Sequence, residues 1–269
     1  MTTIASFATI SQHSKKIYLI SDSRVSWPIT SNPKFDNSTK LFPFRNSPDI
    51  MAYCGDSLFS LSVLSRIKIQ LEFYHKYCTS ANALHKKDIV LSYLNTSISH
   101  YPKELLNDDI TITHFMALDN IFYGFKYSFN HKTSSVFDVD VINIPSTTGI
   151  IDTSGSGGKS YITHLADYTR KYEKHAYTMF FAFLSFIKSG IDKKTGGPPQ
   201  LVQLASNGQV KPIGIFIDNK INLLGETNTF WDNEFSIEIR SEFFELVNSD
   251  GEKLSNEKDR SYLKYITWS

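Results

Sequence analysis

The sequence predicts a layered α+β domain in which two antiparallel sheets face each other and pairs of helices cover the outside. Segments with the composition and alternation typical of strands come in three groups, and two runs with helical spacing separate each group from the next. No stretch rich in Pro, Gly and Ser divides the chain, so these elements fit one domain better than two.

Each element follows from its local pattern. Two apolar β-rich runs around the polar turn 11–16 predict a hairpin over residues 2–22. From Leu58 the apolar positions switch to helical spacing. In chain order, the remaining expected elements are strands over 40–44 and 50–54, helices over 58–74 and 81–99, strands over 110–117, 121–127 and 136–144, a helix opened by the glycines of 155–158 and extending to 172, a helix over 177–188, and closing strands over 201–205, 210–217 and 221–224.

The composition excludes several classes of protein. The 269 residues are 41% apolar, which argues against a disordered chain, and a formal net charge of +1 provides no field to hold nucleic acid or an anionic membrane surface. Two cysteines, Cys54 and Cys78, cannot form a disulfide framework or a multi-cysteine metal site, and the eight histidines show no metal-ligand spacing. We therefore expect no metal.

Two further observations concern the compartment. No apolar run approaches the roughly 18 residues of a membrane span. The first sixteen residues lack the basic start and apolar core of a signal peptide. We expect a soluble protein of the reducing cytoplasm, with no membrane partner.

The beginning of the chain contains a candidate nucleophile. An aminopeptidase that removes Met1 would leave Thr2 with its hydroxyl and a free α-amine on one residue. Because an α-amine has a pKa of about 7.7–8.0, it can act as the general base for its own hydroxyl. Many proteins begin with Met-Thr and have no such chemistry, so these two residues alone do not assign it.

Six short motifs, in order along residues 2 to about 205, resemble those of the proteasome-like N-terminal nucleophile (Ntn) hydrolases, most of all those of the short bacterial peptidase subunit that works with a ring ATPase. They are TTIASF at the start, ISDSR after the second strand, STKLF on the third, YCGD before the first helix, GSGG before the third helix and IDKKTGG after the fourth. The resemblance implies a four-layer αββα sandwich, which agrees with the order of elements above.

The resemblance also assigns roles around the N-terminus. Thr2 matches the nucleophile, and Asp22 and Lys40 match the charged pair beside it. A lysine near an amine and a hydroxyl lowers the pKa of both and stabilises the developing alkoxide. Without the ordered motifs, Asp22 would be a turn-capping residue and Lys40 a solvated charge. Lys34 competes for the lysine role, whereas Arg24 is expected to be structural, buried against a carboxylate.

Four further residues match the rest of the family's site. Gly55 matches the glycine whose backbone N–H binds the oxyanion, and Ser156 matches the serine that contacts the amine of the nucleophile. Asp192 and Thr195 match the Asp and Ser of a D-x-x-S-G-G loop, with threonine in place of serine. The structural alternatives are a strand-to-helix turn for Gly55 and a helix N-cap for Ser156.

The chain departs from the family pattern in three places. The first hairpin turn and the segment between Gly55 and Ser156 are long, and residues beyond about Leu224 have no counterpart. We therefore divide the chain into a proteasome-like Ntn hydrolase domain, residues 1–225, and a C-terminal extension of unknown role, residues 226–269.

The expected function is that of a threonine endopeptidase acting on a peptide or unfolded protein, with no metal or organic cofactor. The resemblance implies a homo-oligomeric ring and an ATPase unfoldase as partner. Two alternatives stay open: an Ntn amidase or acylase acting on a non-protein amide, and a non-catalytic scaffold subunit. A nucleotide-binding P-loop at 155–160 is disfavoured, because its first glycine would fall at position 153, which is Thr153.

Overall fold

A computed structural model describes residues 2–27, 33–78, 82–228 and 237–254 of the chain. The fold of these residues is α+β, as predicted, with four α-helices and two large sheets. The elements are β1 (Thr3–Ile10), β2 (Lys15–Ser21), β3 (Val25–Ser26), β4 (Lys34–Phe35), β5 (Leu41–Pro43), β6 (Asp49–Cys54), α1 (Ser57–Tyr77), α2 (Ala83–His100), a short 3₁₀ helix (Lys103–Leu105), β7 (Ile110–Leu118), β8 (Ile121–Phe129), β9 (Asp138–Val141), β10 (Gly149–Gly155), α3 (Gly158–Lys171), α4 (Ala176–Ser189), β11 (Gln200–Ala205), β12 (Val210–Ile217), β13 (Lys220–Leu223), β14 (Glu226–Asn228), β15 (Glu238–Ser241) and β16 (Leu246–Val247).

The two large sheets have different strand orders. The nine-stranded sheet runs β10-β1-β2-β11-β12-β13-β14, with β15 beside β12 and β16 beside β15, and the five-stranded sheet runs β5-β6-β7-β8-β9. Within the described residues, every neighbouring pair is antiparallel except β12 and β15. This parallel pair departs from the expectation of purely antiparallel sheets. Parallel neighbours cannot be joined by a tight turn, and β12, which ends at Ile217, and β15, which begins at Glu238, are well separated in the sequence.

Three apolar clusters connect the sheets and helices. One joins the nine-stranded sheet to α3 and α4, the second lies between residues of the two sheets, and the third joins the five-stranded sheet to α1 and α2. Strand β1 contributes Phe7 to the first cluster and Ile4 to the second, so both of its faces are buried. This burial explains the nearly continuous apolar run of β1, since alternate residues of a strand point to opposite faces.

Strand β10 is absent from the sequence-based prediction, which instead extends a strand over 136–144. The observed β9 covers only Asp138–Val141, and β10, with the sequence GIIDTSG, pairs along β1. Gly, Asp and Ser are depleted in strands, so pairing with a neighbour overrides the local preference here. This pairing matters because it brings the segment before α3 to the beginning of the chain.

Helix α1 begins one residue before the predicted start. The Asp56 side chain accepts a hydrogen bond from the backbone N of Phe59 at 2.9 Å and so caps the helix, a role for which Asp is a preferred residue. None of the helices in the described residues is long and apolar enough to cross a membrane.

Candidate active site

The predicted site residues come from the ends of several strands that the two sheets bring together. Thr2 directly precedes β1, and Asp22 directly follows β2. Because β1 pairs antiparallel with β2 on one side and with β10 on the other, Ile4 lies opposite Ser21 and Thr3 lies opposite Gly155. The first residues of the chain therefore lie between the loops that follow β2 and β10.

The carboxylate of Asp22 is the centre of a buried network. Its Oδ1 accepts hydrogen bonds from the backbone N of Thr3 and from Lys40 Nζ, both at 3.0 Å. Its Oδ2 accepts from the backbone N of Gly196 at 3.0 Å and of Arg24 at 3.2 Å. All four groups are donors, an arrangement that an ionised carboxylate satisfies in full. Asp22 thus links Thr3 to Lys40 and to the loop that contains Gly196.

Lys40 is completely buried, an unusual position for a lysine. Its ammonium donates to Asp22 and also to the backbone carbonyl of Arg24 at 2.5 Å. Burial lowers the pKa of Lys40, and the attraction of Asp22 opposes that shift; burial likewise raises the pKa of Asp22 against the effect of Lys40. An ammonium has three protons, so these two acceptors leave one proton for a further acceptor.

Gln200 holds Lys40 and Asp22 together, a role that no sequence motif predicts. Its Oε1 accepts from the backbone N of Lys40 at 3.0 Å and of Leu41 at 3.3 Å. Its Nε2 donates to the backbone carbonyls of Asp22 at 3.1 Å and Ser38 at 2.8 Å. The buried amide thus uses both its donors and its acceptor to fix the beginning of β5 against the end of β2.

A chain of hydroxyl groups leads to Asp192. Oγ1 of Thr3 lies 2.5 Å from Oγ1 of Thr195, which donates to Asp192 Oδ2 at 2.8 Å. Ser156 Oγ donates to the same Oδ2 at 2.7 Å. Burial acts to raise the pKa of Asp192, but the hydrogen bonds from Ser156 and Thr195 outweigh it and lower the pKa. The structure therefore brings three predicted residues, Ser156, Asp192 and Thr195, together with Thr3, for which no motif predicts a role.

Two glycines permit this close packing. A Cβ at Gly157 would lie 2.1 Å from Thr3 Oγ1, and a Cβ at Gly196 would lie 2.4 Å from Arg24 Cζ. Both distances are far below van der Waals contact, so a larger residue would force the Thr3 or the Arg24 side chain out of its position in the site. The GSGG and TGG motifs are thus explained by packing at the site.

Thr2 and Gly55 line a common cleft with a volume of about 180 Å³. Gly55 has a φ of +103°, and a Cβ on it would lie 1.7 Å from the backbone carbonyl oxygen of Asp109. The glycine is therefore required both by the backbone conformation and by the close approach of the segment before β7.

The structure also distinguishes the two candidate lysines and shows which carboxylate Arg24 contacts. Lys34 lies on the exposed strand β4, whereas Lys40 contacts Asp22. The Arg24 guanidinium donates from Nε and Nη2 to the two carboxylate oxygens of Asp36 at 2.7 and 2.8 Å. Within the described part of the chain, no three side chains of His, Cys, Asp or Glu are grouped so that they could hold a metal ion.

Comparisons with known proteins identify a shared fold. No family model matches the chain, and no curated protein matches its sequence. Among solved structures, the fold is similar to that of the Anbu (Gly-1) mutant from Hyphomicrobium sp. strain MC1, with 13% sequence identity, a TM-score of 0.52, and coverage of 83% of this chain and 87% of that chain. Eukaryotic HslV from Trypanosoma brucei is 11% identical over 74% of this chain and 98% of that chain, with a TM-score of 0.45. The chain therefore shares the fold of Anbu.

Proposed function

We propose that this chain is a threonine-type peptidase whose nucleophile is the hydroxyl of Thr2, exposed when Met1 is removed. The observation that carries the proposal is the buried Lys40–Asp22 pair, hydrogen-bonded to the backbone N of Thr3, directly beside the first residue of the processed chain. A buried lysine loses its hydration, which is unfavourable, so its position indicates a role beyond packing. A positive charge next to a nucleophile is such a role.

The first step uses two groups of one residue. The α-amine of Thr2 takes the proton of its own hydroxyl, and Oγ1 attacks the carbonyl carbon of the substrate amide. The positive charge of Lys40 favours the alkoxide over the hydroxyl, and the third proton of its ammonium is available for that oxygen. Asp22 fixes the lysine and balances its charge.

The second step breaks the amide. The carbonyl oxygen becomes an oxyanion, for which the backbone N–H of Gly55 is the proposed donor, since Gly55 and Thr2 line the same cleft. The proton on the Thr2 amine passes to the departing nitrogen, and the C–N bond breaks. Water, deprotonated by the same amine, then hydrolyses the ester on Thr2 and frees the hydroxyl.

We assign Ser156, Asp192 and Thr195 to positioning the N-terminus. Their hydroxyl and carboxylate groups form one hydrogen-bonded chain that ends on Thr3, the residue after the nucleophile. This hydrogen-bonded network places one hydroxyl on each side of Asp192. We propose that the Ser156 hydroxyl accepts the proton of the Thr2 α-amine and returns it.

We extend the proposal to the architecture and the assembly. The three apolar clusters support a four-layer αββα sandwich for residues 1–225. Within the extension 226–269, Phe244 packs against Tyr18 and Phe180 of the cluster beneath α3 and α4, which supports a stabilising role for this segment. The proposed working form is a homo-oligomeric ring in the cytoplasm, served by an ATPase unfoldase.

The test compares two forms of the chain that differ only at the N-terminus. One form is released from a fusion so that Thr2 is the first residue, and the other keeps an uncleaved tag before Thr2. We expect only the first to hydrolyse a mixture of fluorogenic peptide amides, because only it has the free amine. Equal hydrolysis by both forms, or none by either, would contradict the proposal. Thr2→Ala should abolish this hydrolysis, and Thr9→Ala, which lies on β1 but outside the site, is its control.

A further inference from the structure

The cleft beside Thr2 and Gly55 has an unbalanced charge. It is lined by Thr2, Val25, Ser26, Trp27, Tyr53, Gly55, Asp56, Ser57, Leu58, Leu105, Asn107 and Asp108. Two of these residues are carboxylates, and none of the lining residues among those that the structure describes is Lys, Arg or His. A low-dielectric cleft with charge of one sign attracts a ligand of the opposite sign.

Asp108 has no cation to balance it within the described ranges. The neighbouring Asp109 points elsewhere, since its Oδ1 accepts from the backbone N and from Nδ1 of His131, at 3.0 and 2.8 Å. The backbone carbonyl of Asp109 packs closely against Gly55, and the preceding residue, Asp108, lines the same cleft as Gly55.

Asp56 supplies the second carboxylate. Its Oδ1 caps α1 by accepting from the backbone N of Phe59, which leaves Oδ2 for another donor. The site's own lysine does not cancel these charges, because Lys40 is paired with Asp22 and does not line the cleft.

The remaining walls fit a long aliphatic stem. Leu58 and Leu105 are 60% and 50% exposed, although both are apolar, and Trp27 beside them is 43% exposed. Lysine and arginine side chains cover apolar surface with their methylene groups and keep the charged end near water or a carboxylate. Apolar walls with two carboxylates therefore match a basic side chain better than an apolar or an acidic one.

The geometry points to this cleft as the pocket for the substrate residue whose carbonyl is attacked, and to lysine or arginine at that position. This inference rests on the proposed function: the attacked carbonyl must lie between Thr2 Oγ1 and Gly55 N, and both residues form walls of the cleft. The side chain of the substrate residue that contains this carbonyl is attached to the neighbouring Cα and therefore enters the same cleft.

The experiment uses full-length chain beginning at Thr2 and four peptide amides that differ only at this residue. These contain lysine, arginine, glutamate, or norleucine, which keeps the stem of lysine without its charge. We expect kcat/KM for lysine and arginine to exceed that for norleucine about tenfold or more, and that for glutamate to be lowest. Equal values for lysine and norleucine would overturn the inference.

Variants then locate the selectivity. Asp108→Asn should lower the lysine-to-norleucine ratio, and Asp56→Ser should do the same while keeping a residue that caps α1. Asp138→Asn, on the exposed strand β9, makes the same charge change outside the cleft and should leave the ratio unchanged. An unchanged ratio in Asp108→Asn would overturn the assignment of the pocket.

A binding measurement separates this inference from the proposed function. Fluorescence anisotropy of the lysine and norleucine peptides is measured with the Thr2→Ala variant, which lacks the nucleophile. Lysine-selective binding that depends on Asp108, together with no peptide hydrolysis by the unsubstituted chain that begins at Thr2, would support the pocket and contradict the peptidase. Hydrolysis without such selectivity would support the peptidase and contradict the pocket.

Discussion

Lys40 shows most clearly how one side chain couples stability to chemistry. Its ammonium is enclosed by the Asp22 carboxylate and the Arg24 carbonyl, and no part of it reaches solvent. A buried ion pair contributes little net stability, but removing one partner leaves the other charge buried and unpaired. The pair is therefore a fragile point of the fold as well as the proposed source of the nucleophile's reactivity.

We predict that Lys40→Met loses peptide hydrolysis and lowers the free energy of unfolding by about 3–5 kcal/mol, because Asp22 keeps its charge without a partner. The double variant Lys40→Met with Asp22→Asn should regain part of the stability, since the unpaired charge is gone, but none of the activity. Urea unfolding and a hydrolysis assay measure the two effects. Activity in the double variant would contradict the role given to Lys40.

A second buried network lies at the beginning of β6, at the opposite end of the strand from Gly55, and we assign it to stability. Asp49 Oδ2 accepts from Lys86 Nζ at 2.5 Å and from Ser47, and Oδ1 lies 2.8 Å from His114 Nε2. Burial acts to raise the pKa of Asp49, but His114 and Lys86 outweigh it and lower the pKa to about 2. None of these residues matches a site motif, so no sequence pattern predicts this network.

The lowered pKa of Asp49 predicts how the stability of this network depends on pH. A carboxyl group whose folded pKa lies below its unfolded value of about 3.9 contributes stability above that value and loses it as the pH falls towards 2. The contribution of Asp49 should be about 2 kcal/mol. Asp49→Asn should therefore lower the urea midpoint at pH 7 and flatten its fall between pH 4 and 2. Asp138→Asn, which is exposed, should leave the curve as it is, and an identical curve for Asp49→Asn would contradict the account.

At the scale of elements, the turn between β10 and α3 leaves little room for a residue larger than glycine. We predict that Gly157→Ala costs about 1–3 kcal/mol and reduces activity, because the new Cβ overlaps Thr3 Oγ1 and pushes α3 away from β1. Gly149→Ala, at the other end of β10, meets nothing within 4 Å and serves as the matched control. Thermal unfolding and hydrolysis of both variants are the measurements. Equal stability of the two variants would show that the turn is not under this constraint.

An element could be predicted where its sequence pattern is local, but not where it depends on contacts with distant segments. The β1–β2 hairpin and α1 follow from local periodicity, and Lys40 and Asp22 were matched through short motifs. Strand β10 was missed, because its Gly, Asp and Ser residues disfavour a strand and only pairing with β1 stabilises it. Gln200 was missed because its four hydrogen-bond partners are brought to it by the fold and not by the neighbouring sequence.

At the scale of the whole molecule, the proposed ring makes a prediction that does not depend on catalysis. Light scattering of the Thr2→Ala variant should give a mass several times the 30.6 kDa of one chain, because the fold is unchanged by loss of one hydroxyl and one methyl group. A stable ring would bury well over the ~1,200 Å² of a standard interface between neighbours. A monomer at micromolar concentration would contradict the assembly and leave the chemistry of the site to be judged separately.

The central claim, that Thr2 is the nucleophile, is tested most directly by trapping the ester. A peptide β-lactone acylates the attacking oxygen: the Thr2 Oγ–acyl bond forms, the lactone ring bond breaks, and the proton moves to the released alcohol. Intact mass and peptide mapping then count and locate the adduct. We expect one adduct per chain, on Thr2, in chains that begin at Thr2 and not in chains with an uncleaved tag. An adduct on another residue such as Ser156, or equal labelling of tagged chains, would contradict the account.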